Sequence, residues 1–66
     1  MRFTIEILRA DECMHSKVLF RSAVEGISPK WAKTKAAALL GAWRNRGANG
    51  ARILNRNGEE LYSWWE

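Results

Sequence analysis

Cysteine, histidine and proline each occur once in the 66 residues, as Cys13, His15 and Pro29. A single cysteine excludes an internal disulfide, and one cysteine with one histidine leaves too few soft ligands for a structural zinc site. A chain this short buries only about 60% of the surface its unfolded form exposes. Without a staple it must rely on large core side chains or on association. The longest apolar run, Ala36 to Leu40, is far below the roughly 20 residues of a membrane-spanning helix. The opening MRFTIEILRADE breaks its apolar residues with Glu6 and Arg9 and has no small-residue cleavage site, so it does not read as a secretory signal. These absences predict one domain over residues 1–66 in a reduced, cytoplasmic setting, with no membrane, metal or cofactor.

Acidic residues are missing from one long stretch. Between Gly26 and Gly58 stand Lys30, Lys33, Lys35, Arg44, Arg46, Arg52 and Arg56 and no carboxylate, whereas residues 1–25 are balanced; the whole chain carries a net charge of +4. Such asymmetry favours anionic partners.

What is present is patterned. Phe3, Ile5 and Ile7 alternate with Thr4 and Glu6, predicting a half-buried strand at about residues 2–9. A second strand is predicted at about 17–25, with Val18, Phe20 and Val24 on one face and Leu19, Arg21 and Ala23 on the other. The short connection between them implies an antiparallel hairpin. A helix follows, with two competing starts: Ser28 with Pro29 behind it, or Thr34 ahead of the alanine-rich run. Good helix formers after Thr34 favour the latter and predict a helix at about 35–46, with Ala36, Leu39, Leu40 and Trp43 on its core stripe. Asn57–Gly58 between two β-prone runs predicts a two-residue type I′ hairpin. That register sets Leu54 opposite Leu61, Ile53 opposite Tyr62 and Ala51 opposite Trp64, and places Tyr62 and Trp64 under the helix with Trp43. Leu54, Leu61 and Trp65 fall on the other face.

The order is ββαββ, an α+β domain with a four-stranded antiparallel sheet and one helix across one face. A hairpin, a helix entered through Thr34, Lys35 and Ala38, a glycine, a strand and the Asn57–Gly58 turn resemble small stand-alone bacterial ββαββ domains of unknown function, over roughly residues 17–62. The resemblance implies the same fold and a bacterial or phage setting, and it brings no catalytic residue with it.

Catalysis is not expected. Cys13 and His15 lie two residues apart, but no orienting group or oxyanion site accompanies them, and a polar connection between strands explains both. Turn chemistry accounts for the glycines of NRGANGARILNRNG, which lacks the Lys–Ser/Thr ending of a P-loop. Two binding functions remain. One is a protein-interaction module, including a homodimer, that uses Leu54, Leu61 and Trp65 on the uncovered sheet face. Gly41 joins this set because a glycine inside a helix costs about 1 kcal/mol relative to alanine, which a close-packed neighbour would explain. The alternative is nucleic-acid binding by Lys33, Lys35, Arg44, Arg46, Arg52 and Arg56 with an exposed aromatic for stacking.

Overall fold

The computed structural model describes residues 1–13 and 15–66. Strands β1 (Arg2–Ala10) and β2 (Ser16–Glu25) form a hairpin, helix α1 (Pro29–Trp43) follows, and strands β3 (Gly50–Asn55) and β4 (Glu60–Trp65) form a second hairpin. All pairings are antiparallel and the sheet order is β2-β1-β3-β4. The chain therefore leaves edge strand β2, crosses over β1 as the helix, and returns to lie beside β1 as β3. Among the described residues, no helix is long and apolar enough to cross a membrane.

Helix α1 packs over β1 and β3, the two central strands. Phe3, Ile5, Ile7, Ala51 and Ile53 from the sheet meet Ala32, Ala36 and Leu40 from the helix in a fully buried core. The alternation of β1 drives this layer: its odd positions from Phe3 to Ile7, all large and apolar, point to one side.

The helix starts at Ser28, not at Thr34. Ser28 Oγ accepts from the Trp31 N–H at 3.2 Å, and Pro29 occupies the first helical position, where its missing N–H costs nothing. Thr34 lies inside the helix and turns its hydroxyl back to donate to the Lys30 carbonyl at 3.2 Å. The earlier start adds a turn that brings Ala32 into the core below Ala36, which the propensity of the alanine run alone cannot register. Trp43 ends α1, Arg44–Arg46 continue as one 3₁₀ turn, and Gly47 at φ 94° closes it. Gly47 N–H donates to the Arg44 carbonyl at 3.0 Å and Ala48 N–H to the Trp43 carbonyl at 3.2 Å, a Schellman ending.

Two bulges revise the sheet faces. The β1–β2 register slips between Ile7↔Phe20 and Leu8↔Val18, so Leu19 is the extra residue and Val18 stands on the face opposite Phe20. The β3–β4 turn is longer than a type I′ turn. Asn55 pairs with Glu59 through an N–H to carbonyl bond of 2.8 Å, leaving the three-residue loop Arg56–Gly58. Gly58 lies at φ 83° and donates to the Asn55 carbonyl at 3.0 Å, while Asn55 Oδ1 accepts from the N–H groups of Asn57 and Glu59. Left alone, this loop would shift β4 by one residue. The bulge between Ile53↔Tyr62 and Leu54↔Glu60 restores the register at the expense of Leu61, which has no cross-strand partner. Leu54 thus faces Glu60, and Leu61 instead borders a cavity with Phe3, Pro29 and Asn55.

Gly41 is exposed on the outer side of α1, and a Cβ placed on it would meet nothing within 4 Å. Packing within the chain gives it no reason. Gly41→Ala is therefore expected to raise stability by about 1 kcal/mol, read as a higher urea midpoint. An unchanged or lower midpoint would overturn this expectation.

Candidate interaction surfaces

The face that α1 leaves bare is banded by cross-strand register. One row runs Val18, Leu8, Gly50, Trp65; the next Arg21, Glu6, Arg52, Ser63; the third Ala23, Thr4, Leu54, Glu60. Two of the sequence-predicted contact residues, Leu54 and Trp65, belong here. Leu61 has been displaced by its bulge.

Trp65 is 51% exposed yet firmly placed. Its indole lies flat against the backbone of Gly50, where an added Cβ would come within 2.2 Å of Cε3, so only glycine admits the ring. The segment is tied at its end: Glu66 N–H donates to the Asn49 carbonyl at 2.7 Å, and the Glu66 carboxylate is held bidentately by Arg44. Arg44 correspondingly keeps the Glu66 carboxyl below its ordinary range. Asn49 anchors in turn on β1, accepting from the Ala10 N–H at 2.9 Å and donating to the Ala10 carbonyl at 3.0 Å. The indole borders a cleft of about 380 Å³ shared with Ala10, Ser16 and Asn49.

Glu6 occupies the middle of the same face and is 1% exposed. Arg21 from β2 and Arg52 from β3 cover it, with Arg21 Nε donating to Oε2 and Arg52 Nε to Oε1, each at 2.7 Å. Burial of the carboxylate raises its pKa most among single effects, but the hydrogen bonds and charges of Arg52 and Arg21 together outweigh it and hold Glu6 below its ordinary value of 4.5. The row carries a net charge of +1 with both guanidiniums open to water at 62% and 37%. In the sequence Glu6 looks like the solvent-facing member of an alternating strand. Nothing local reveals its partners, which lie 15 and 46 residues away.

The six cations considered for nucleic acid do not converge. Arg52 belongs to the Glu6 row and Arg44 to Glu66. Arg46 sits over Trp43 at 5.0 Å, near the helix C-terminus, whereas Arg56 is in the β3–β4 turn beside Pro29, at the opposite end of α1. Lys33 Nζ stands 5.1 Å from the Tyr62 ring centroid. Lys35 is exposed on the helix.

A second surface lies on the helix side, above β4. Because α1 crosses β1 and β3, it stops short of β4, and Tyr62 is 38% exposed instead of covered. Trp64 is half-buried against the core, while Trp43 stacks on Phe20 at 5.2 Å across the sheet, away from both. The gap between helix and strand forms a groove, with Lys33 and Ala37 on one wall and Tyr62 and Trp64 on the other, continuing past Lys30. Helix placement over the sheet was the missing information, and no residue pattern encodes it.

At the β1–β2 turn, Asp11 N–H donates to the His15 carbonyl at 3.0 Å, and Asp11 Oδ1 accepts from the N–H groups of Cys13 and His15. This ordinary turn chemistry accounts for the short Cys13–His15 spacing. Compared with protein-family models, with curated proteins and with solved structures, the chain matches none.

Proposed function

We propose that this chain is a non-catalytic protein-interaction module that presents the uncovered sheet face to an acidic, partly apolar surface of another protein. The observation that carries the reading is Trp65, a half-exposed indole held against Gly50 and flanked by the Arg21–Glu6–Arg52 row. Trp and Arg are the residue types that dominate interface hot spots, and a ring fixed before contact loses little conformational freedom on binding. The partner's apolar group covers Trp65 and Val18, and its carboxylates meet the outward guanidinium N–H groups, which suit planar oxyanions. A second copy fits this face less well. A symmetric sheet-to-sheet dimer centred on it lays one net-cationic row over another, and like charges buried face to face repel.

Random-peptide display against the immobilised chain tests the reading. Enriched sequences are expected to join acidic residues to a large apolar side chain, with Trp65→Ala weakening their binding by about 2 kcal/mol, roughly thirtyfold. Enrichment of no acidic-apolar sequences, or binding indifferent to Trp65→Ala, would overturn it. Light scattering covers the other occupant: twice the monomer mass, reverting on Trp65→Ser, would assign the face to a second copy.

Nucleic-acid binding is the second reading, supported by the acid-free helix layer with Lys33, Lys35 and Arg46 outside any ion pair among the described residues. With Arg44 and Arg52 engaged by carboxylates, those three and Arg56 are what remains of the six to meet phosphates. Anisotropy of a labelled single-stranded oligonucleotide is then expected to fall steeply as salt rises. No binding at low salt would sink it.

A further inference from the structure

The groove between α1 and β4 carries features that the sheet-face reading does not use. β4 is an edge strand, so one row of its backbone N–H and C=O groups has no strand partner. The two edges differ. Edge strand β2 bears a charge at every fourth residue, Lys17, Arg21 and Glu25, the usual protection against strand addition. β4 has no charge from Leu61 to Trp65, and past its bulge Tyr62–Trp65 continue as regular strand. Beside that edge lies a trough of about 370 Å³, bounded by Ala37 and the rings of Tyr62 and Trp64. Its rim is cationic: Lys30 and Lys33 have no carboxylate within ion-pair distance among the described residues.

We infer that this groove receives an extended acidic peptide segment of a partner protein, which adds to the sheet as a strand beside β4. Backbone hydrogen bonds to Tyr62–Trp65 supply the register. Alternate side chains of an added strand point to the helix side, about 7 Å apart. An apolar one enters the trough over Ala37, and carboxylates before and after it reach Lys30 and Lys33. A peptide suits this place better than a nucleic acid because the vacant partner is a strand edge, whose donors and acceptors alternate as another backbone's do. Ala37 and Gly41, one turn apart on the outer helix, leave height for a strand to lie there.

The probe is a capped heptapeptide, Thr-Glu-Thr-Val-Thr-Glu-Thr, whose side chains on one strand face read Glu, Val, Glu, titrated into the ¹⁵N-labelled chain. Binding below about 1 mM is expected, with shifts and slowed amide exchange in β4 and at Ala37. Lys30→Glu with Lys33→Glu is expected to weaken it at least about tenfold, and Ala37→Leu, which fills the trough from an exposed helical position, to weaken it comparably. The matching Lys/Val peptide is expected not to bind. No binding at that concentration, shifts centred on Val18, Leu8 and the Trp65 indole and absent from the Tyr62 and Ser63 amides, or indifference to the charge reversal would overturn the inference. So would displacement of the peptide by oligo(dT), which makes the groove a nucleic-acid site, or a dimer through β4 without peptide, which makes the occupant a second copy. The sheet-face reading survives any of these outcomes, since Trp65 lies on the opposite side of the sheet.

Discussion

Leu40→Ala is expected to cost about 3 kcal/mol and to leave much of the protein unfolded near 40 °C. Helix α1 enters the core with Ala32, Ala36 and Leu40, so Leu40 is its one large fully buried side chain, with Leu39 and Trp43 partly buried beside it. At about 0.05–0.15 kcal/mol per residue, a chain of 66 residues has roughly 3–10 kcal/mol in total, so the loss is a large share of it. Leu39→Ala, at the margin of the same stripe, serves as the control and should cost about 1 kcal/mol. Urea unfolding followed by far-ultraviolet circular dichroism checks both. Equal midpoints for Leu40→Ala and the parent would mean that the helix docks by some other contact.

Glu6→Gln is the second large effect, and its signature is in pH. The amide keeps the shape but loses the charge that two guanidiniums address, and hydrogen bonds between charged groups contribute about 1.5–3 kcal/mol each. Water reaches both arginines, so the expected loss at pH 7 is about 3 kcal/mol for the pair of contacts and not their full sum. The sign follows from the lowered pKa. In the unfolded chain Glu6 titrates near its ordinary 4.5, and in the folded chain below it. Its stabilisation is therefore complete above pH 4.5 and is lost as pH falls through the lower, folded value. Glu66 is also lowered, so the acid limb of the parent has more than one source. The difference between parent and Glu6→Gln isolates Glu6: it should be constant above about pH 5 and shrink below pH 4.5. A difference independent of pH down to 2 would show that the Arg21–Glu6–Arg52 row contributes through shape and not charge.

Features that depend on neighbours in the chain were legible from residues alone. Odd positions of β1 announce a strand with one apolar face, and the observed strands begin and end within a residue of the expected bounds in the first hairpin. The core stripe Ala36, Leu40, with Leu39 and Trp43 beside it, followed from helical spacing. Asn57–Gly58 marked the turn but not its length, because an i to i+3 turn with glycine at its end uses the same two residues as a type I′ turn. Tyr62 and Trp64 nevertheless reached the expected face, since the bulge at Leu61 cancels the extra loop residue. Leu61 itself bore the consequence and left the candidate surface.

The two surfaces divide in the same way. That Trp64 and Trp65 serve different faces is dictated by strand geometry, which sends adjacent side chains to opposite sides. That Trp65 lies flat on Gly50, that Glu6 unites Arg21 and Arg52, and that Tyr62 stands beside a groove and not beneath a helix depend on which strands are neighbours and where the helix crosses. Sequence alone therefore determined the element order, the apolar side of β1 and of the helix, and the cationic middle of the chain, because periodicity and local charge are properties of contiguous residues. Tertiary structure alone decided which of those cations are neutralised and which aromatic rings face water, because charge pairing and exposure are set by residues brought together from distant strands.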